Sequence, residues 1–170
     1  MTTTATQQRP WTPGEIALVV ARLFLGVAFF YLGLVKASDP VAFLKQVRAY
    51  ELVSQPLLLN SVAVILPWLE MLCGVLLVSG VALRGTALVT LALLVFFTAA
   101  VANRGLALAR EQDTRLCVIK FDCGCGTGEV FVCNKLVENS LLIGLAVLPL
   151  IRPRQRFALG REGAGPSTAR

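Results

Sequence analysis

Hydrophobic residues in this chain fall into four long runs that are separated by more polar segments. The runs cover about residues 16–35, 62–83, 86–102 (or onward to 109) and 136–151. Each is close to the roughly 20 residues that an α-helix needs to cross the hydrocarbon core of a bilayer. Because lipid cannot satisfy backbone hydrogen bonds, such runs are expected to be helical. The pattern predicts an all-α fold, an integral membrane four-helix bundle.

The remaining segments complete the predicted organisation. Residues 1–14 form a polar leader and residues 153–170 a basic, flexible tail, which leaves a membrane domain at 15–152. No small-residue cleavage site follows the first run, so we expect that run to be retained as a span rather than removed as a signal peptide. The short Arg84-Gly85 link predicts a tight hairpin between the second and third spans.

An amphipathic helix is predicted between the first two spans. Asp39 is a good N-cap and Pro40 suits the first helical position. Val41, Leu44 and Val47 then recur at helical spacing. Such a helix either lies in the membrane interface or packs as a lid over the bundle, and the sequence leaves both alternatives open.

Composition supports a membrane protein and excludes some functions. Hydrophobic residues make up 56% of the chain and charged residues 15%, whereas a soluble domain has about 25% charged residues. The net charge of +6 does not predict nucleic-acid binding, because much of it lies in arginines after the last span. The chain has no histidine, which excludes histidine acid–base chemistry and histidine-ligated metals.

Charge distribution predicts the orientation. Basic residues next to membrane spans favour the cytoplasmic side, and arginines are frequent after the fourth span. With an even number of spans, both termini are then cytoplasmic, in the inner (cytoplasmic) membrane of a bacterium. Two longer loops, about 36–61 and 103–135, are expected on the outer side.

Four of the five cysteines lie in the second of these loops: Cys117, Cys123, Cys125 and Cys133. Cys73 lies in the second span and is expected to be a small buried apolar residue. An outer loop faces an oxidising compartment, where disulfides form and persist. The cysteine-rich outer loop is therefore the predicted centre of chemistry.

Three hypotheses account for these cysteines. A thiol–disulfide redox site is the first, because a Cys123–Cys125 bridge would be strained, and strained disulfides exchange readily. Cys117 and Cys133 would then brace the loop or relay electrons. The second hypothesis is a loop stapled by two structural disulfides, for which three connectivities exist. The third is a four-thiolate zinc site, although the usual C-x₂-C spacing is missing.

Ionisable residues within the spans form a second group of candidates. A carboxylate at Glu70, inside the second span, is costly in lipid and is expected to face protein or water. Arg22, in the first span, is close enough in predicted depth for a buried Glu70–Arg22 pair. The alternatives are that Arg22 extends to the cytoplasmic surface and that Glu70 is a structural anchor.

Glu138 and Asn139 begin the fourth span on the side of the cysteine loop. Together with Glu70 and Trp68, they predict a pocket beneath that loop. Such a pocket would handle protons or accept a lipid-soluble quinone, or its polar residues would simply hold the helices together. No metal site is predicted there.

Several segments resemble the MauE branch of the DoxX-like membrane proteins. They are RLFLGVAFFYLGLVK at 22–36, residues 43–52, LPWLE at 66–70, NRG at 103–105 and CGCG at 123–126. The resemblance implies a four-helix membrane bundle, with Cys123 and Cys125 as the C-x-C element and Glu70 as the acidic residue of the P-x-x-E run. Gly126 stands where an aromatic residue is expected, and Cys117 and Cys133 go beyond the minimal pattern.

The resemblance also implies a function. MauE is associated with maturation of methylamine dehydrogenase through disulfide formation in its small subunit, alongside a thioredoxin-like partner. We therefore predict a membrane thiol–disulfide redox protein that acts on an exported or periplasmic client. The alternative is a non-enzymatic accessory subunit that stabilises a larger membrane complex through a stapled loop.

Overall fold

Four long helices dominate the computed structural model, which describes residues 12–52, 55–122 and 128–151. They are α1 (Pro13–Ser38), α3 (Pro56–Ser79), α4 (Leu83–Glu111) and α5 (Val132–Ile151), with a shorter helix α2 (Pro40–Ala49) after α1. Except for α2, each of these helices has the length and the apolar composition needed to cross a membrane. The predicted all-α membrane bundle is confirmed.

Local sequence explains where the first two helices begin. The backbone N–H of Thr12 donates to the carboxylate of Glu15 at 3.0 Å, and Pro13 occupies the first helical position. In α2, the Asp39 carboxylate accepts from the backbone N–H of Ala42 at 2.9 Å, and Pro40 takes the first position. The α2 start therefore matches the predicted Asp-Pro cap.

The link between α3 and α4 differs from the prediction. Helix α3 ends at Ser79, and Gly80 adopts a left-handed φ of +74° that caps it. The connection is thus residues 80–82, while Arg84 and Gly85 lie in the first turn of α4. Glycine adopts this left-handed conformation without steric cost. The helix therefore ends there, although the residues that follow are apolar and were expected to continue the second span.

The helices pack in antiparallel pairs, with α1 against α3 and α4 against α5. The end of the bundle where α1 and α4 finish and where α3 and α5 begin is called the loop end. Small residues let α1 and α3 approach closely, because a Cβ atom built on Gly74 would stand 2.6 Å from the backbone nitrogen of Phe30. Gly26 lies directly opposite, since a Cβ atom there would stand 3.0 Å from the carbonyl oxygen of Gly74.

Two apolar clusters fill the interior. The first lies within the bundle, and its buried members are Leu25, Phe29, Cys73, Leu77, Leu83, Leu94, Leu142 and Ala146. The second lies at the loop end, with Tyr50, Ala100, Val101, Ala109, Ile119 and Val132. The second cluster includes residues of the connections, so the loop end is itself a packed unit.

A small β-hairpin lies within the predicted cysteine-rich loop. Its strands β1 (Lys120–Asp122) and β2 (Glu129–Phe131) are antiparallel and pair Phe121 with Val130. A short 3₁₀ turn (Leu116–Val118) precedes it. Strands of three residues leave almost no periodic pattern, so the sequence predicted only a loop here.

The outer surface of the bundle is rich in large apolar side chains. Val27 is 61% exposed and Phe96 is also 61% exposed, and both lie on the long helices. Large apolar patches on a protein surface mark contact with lipid or another protein. In this chain they lie on helices of membrane-spanning length, which fits a multi-pass membrane protein in a lipid bilayer.

Candidate functional site

A disulfide between Cys117 and Cys133 closes the base of the hairpin. Cys117 lies in the 3₁₀ turn before β1, and Cys133 is the second residue of α5, directly after β2. Their Cα atoms are 4.9 Å apart. Cys117 is exposed and Cys133 is half-buried, so the bond is within reach of other thiols. This pairing selects one of the three connectivities that the sequence allowed.

The other cysteines occupy different places. Cys123 and Cys125 lie outside the described residues, in the segment 123–127 that connects Asp122 at the end of β1 to Gly128 before β2. Cys73 is a free, buried thiol in α3, as predicted. Because the disulfide uses two of the four sulfurs that a four-thiolate zinc site needs, the zinc hypothesis does not fit this form of the protein.

Side chains of α2, together with a ring of α4, fix the hairpin on the bundle. The Gln46 amide of α2 donates to the Asp122 carboxylate at 2.8 Å. Tyr50, which caps α2, lies edge-on to Phe121 of β1 and to Phe97 of α4, with ring centroids 6.0 and 6.1 Å away. Burial, and secondarily the charge of Asp122, raises the pKa of the Tyr50 phenol. Tyr50 therefore stays neutral at physiological pH and acts as an apolar wedge.

A buried ion pair lies beneath this unit. The Lys36 ammonium donates to both carboxylate oxygens of Glu70, at 2.5 and 2.7 Å, and joins α1 to α3. The two side chains are only 4% and 7% exposed. Lysine side chains on a helix lean toward its N-terminus, so Lys36 reaches back into the bundle rather than out to the membrane surface.

Aromatic rings surround the Lys36 ammonium. Its nitrogen lies 4.8 Å from the centroid of the Phe97 ring on α4 and 5.5 Å from that of Phe43 on α2. A cation over an aromatic face is attracted by the ring quadrupole. Phe43 is 3% exposed, so α2 covers the pair, which supports the lid alternative for this helix.

The predicted Glu70–Arg22 pair is wrong. Gly26 of α1 packs against Gly74 of α3. Arg22 is four residues before Gly26, and Glu70 is four residues before Gly74. Because the two helices are antiparallel, these two residues lie on opposite sides of the glycine contact along the bundle axis. At 1.5 Å per residue they are about 12 Å apart along the bundle, and both Glu70 oxygens already accept from Lys36. Arg22 is 3% exposed, so it lies inside the bundle.

Lys135 and Asn139 of α5 extend the polar site. The Lys135 ammonium donates to Glu138 at 2.8 Å, with the two side chains 5% and 57% exposed. Asn139 is 4% exposed, and its amide nitrogen finds no hydrogen-bond partner among the described residues. Glu138 is therefore at the rim of the site, whereas Asn139 is in its interior.

A cavity of about 30 Å³ lies between these groups, with Lys36, Glu70, Lys135 and Asn139 among its lining residues. This volume has room for about one or two water molecules. It is far below the roughly 300–1,000 Å³ of pockets that hold organic ligands. A water molecule there would accept from the Asn139 amide, but a quinone ring does not fit.

Trp68 is not part of this site. Its side chain is 66% exposed on the outer surface of α3, so the predicted pocket of Glu70, Glu138 and Trp68 does not form. Lys36 and Lys135 were not among the site residues that the sequence predicted. Lys36 was assigned to the loop after the first span. The only signal for its position in the site is that side chains on a helix point toward the helix N-terminus, which directs the Lys36 ammonium into the bundle.

A family model described as methylamine utilisation protein MauE matches residues 14–152. This match covers the whole of the predicted membrane domain, 15–152, and so includes the disulfide and the buried ion pair. Among curated proteins and among solved structures, no match reaches significance.

Proposed function

Because the chain belongs to the MauE family, we propose that this membrane protein of methylamine utilisation is a thiol–disulfide redox protein that matures an exported client. The observation that carries the proposal is the Cys117–Cys133 disulfide at the base of the hairpin. Both C-x-C cysteines lie in the segment that the hairpin strands enclose. All four loop cysteines therefore lie within the short stretch of chain from residue 117 to residue 133.

The proposal gives the two cysteine pairs different roles. With Cys117 and Cys133 joined, Cys123 and Cys125 remain to exchange with a client thiol. A disulfide across a C-x-C would be strained, and strained disulfides are oxidising and labile. Cys117–Cys133 braces the loop and, being exposed on one side, can also accept electrons from the C-x-C pair.

In this proposal the Lys36–Glu70 ion pair, which lies beneath the hairpin, supports thiol–disulfide exchange by holding the helices in place. The Lys36–Glu70 pair fixes α1, α3 and the covering helix α2 under the hairpin. Thiol–disulfide exchange releases and takes up protons. Glu138 at the rim, and a water molecule bound in the cavity beside Asn139, would form a short polar route for these protons.

The proposed location is the bacterial inner membrane, with both termini in the cytoplasm and the loop end outside. The disulfide supports this orientation, since disulfides persist in oxidising compartments. With four candidate spans, both termini lie on the same side in this proposal, and the arginines of the tail favour the cytoplasm for that side.

The proposed partners follow from the family resemblance. The first candidate client is the small subunit of methylamine dehydrogenase, and a thioredoxin-like protein is the expected redox partner. Both would meet the loop end, because the hairpin lies there.

The test replaces Cys123 and Cys125 by Ser together, with Cys73→Ser as the matched control within α3. We expect the double variant to accumulate normally and to keep its Cys117–Cys133 bond while the client stays reduced. Thiol trapping in intact cells, followed by mass mapping, measures the redox state of both proteins. A client that is oxidised at the normal rate by the double variant contradicts the proposal.

A stapled accessory subunit is the second candidate function. The braced hairpin favours it, because the disulfide, the Gln46–Asp122 bond and the Tyr50 contacts make a firm docking surface. In that case the loop cysteines never change redox state. Cys117→Ser with Cys133→Ser would then abolish assembly with the partner complex, whereas the Cys123/Cys125 variant would not affect client oxidation.

A further inference from the structure

An open groove runs along the lipid-facing surface between α1 and α5. Its volume is about 600 Å³, within the range of ligand pockets. Phe24, Ala28, Tyr31 and Leu32 form its α1 wall, at the spacing of one helix face. This groove is separate from the small charged cavity, although Leu32 and Leu142 line both.

Polar groups are concentrated toward one end of the groove. Tyr31, Glu138 and Ser140 are among its lining residues, and the rest of the wall is apolar. Glu138 and Ser140 belong to the part of α5 nearest the loop end. A ligand that fits has a polar ring that accepts or donates hydrogen bonds and an apolar tail that extends along the helices.

Cys133 does not line the groove but lies on α5 beyond its polar end. Cys133, Ser140 and Gly144 are separated by seven and four residues and share one face of α5. Cys133 lies seven residues before Ser140, about 10.5 Å along the helix axis. Val137 lies between Cys133 and Ser140 on this face and is 61% exposed, so a flat ring that leaves the polar end of the groove can lie over it and approach the Cys133 sulfur.

We propose that the groove between α1 and α5 binds a membrane quinone, which reoxidises the Cys117–Cys133 pair. This inference rests on the proposed thiol–disulfide function. As the S–S bond forms, the two thiols give up two electrons and two protons. The quinone takes up both electrons and both protons and leaves as the quinol. The groove thereby connects the hairpin to an oxidant that is dissolved in lipid.

The test uses the full-length protein in lipid nanodiscs, reduced, freed of reductant and kept without oxygen. Decyl-ubiquinone is added at increasing concentration, and alkylation with mass mapping follows the return of the Cys117–Cys133 bond. We expect the rate to saturate with quinone. A linear rate, or no reoxidation of the wild-type protein, overturns the proposal, since a groove filled only by lipid gives no saturable site.

Two glycines offer a matched pair of variants. A Cβ atom on Gly144 in the groove, or on Gly85 at the opposite end of the bundle, would meet no atom within 4 Å. Gly144→Leu should fill the groove and raise the half-saturating quinone concentration about tenfold, a change of roughly 1.4 kcal/mol. Gly85→Leu should leave that concentration unchanged, and equal behaviour of the two variants contradicts the proposal.

The groove and the proposed function can fail separately. Gly144→Leu protein that has been oxidised chemically with diamide should still oxidise the client in a single turnover. If it does so while quinone saturation is unaltered, the groove assignment is wrong and the thiol–disulfide function stands. If the oxidised wild-type protein fails to oxidise the client, the function itself is wrong.

Discussion

Helix α1 has two very different faces. Against α3 the backbones touch, and a Cβ atom on Gly74 would stand 2.6 Å from the Phe30 nitrogen. Toward α5 there is a groove, and a Cβ atom on Gly144 would meet nothing within 4 Å. A glycine in a membrane helix thus marks close helix contact in one place and open space in another.

Charged residues differ in the same way between the α1–α3 contact, called the closed side, and the α1–α5 groove, called the open side. Glu70 and Lys36 lie on the closed side and are almost wholly buried, whereas Glu138, paired with Lys135, is 57% exposed beside the groove. The closed side therefore holds the bundle together. The open side is free to change without loss of the fold.

The largest effect is expected from the buried pair. Lys36→Met or Glu70→Gln alone should lower the free energy of unfolding by about 3–5 kcal/mol, because each leaves an uncompensated buried charge. The double variant Lys36→Met with Glu70→Gln should recover most of this loss, because it leaves no buried charge without a partner. Denaturant titration in detergent micelles, read as a double-mutant cycle, measures the coupling. Additive losses would show that the two residues do not act as a unit.

Alanine substitutions at Gly74 and Gly144 should show the difference in packing between the two faces of α1. Gly74→Ala should cost about 1–3 kcal/mol, because α1 and α3 must move apart to admit the methyl group. Gly144→Ala should be neutral or stabilise by up to about 1 kcal/mol through helix propensity. Melting temperatures of both variants, compared at equal lipid content, test the difference. Equal losses would mean that the groove is closed in the folded protein.

The smallest effect is expected at the rim. Glu138→Gln should cost about 1 kcal/mol or less, as for most exposed ion pairs, because the new amide oxygen still accepts from Lys135. The same exchange at Glu70 is the matched comparison within the closed side. Chemical unfolding of both variants under one set of conditions gives the ratio. A loss at Glu138 as large as that at Glu70 would place Glu138 in the structural core.

Much of the fold could be predicted from the sequence. Four apolar runs of about bilayer length determine the membrane helices, since backbone hydrogen bonds have no other partners in lipid. The Asp39-Pro40 cap determined where α2 begins. Helix ends were less certain, because Gly80 stops α3 by adopting a left-handed conformation within an apolar stretch.

The site depended on tertiary structure. The sequence placed Glu70 in a span and four cysteines in one loop, but not their partners. Depth counted from predicted span ends favoured Arg22, whereas the Gly26–Gly74 contact sets the register of α1 on α3 and brings Lys36 to Glu70. In the same way, the pairing of Lys120–Asp122 with Glu129–Phe131 brings Cys117 to Cys133, which are 16 residues apart in the chain. Sequence determines which residues enter the membrane, while packing decides which of them meet, because contact depends on helix register and side-chain direction.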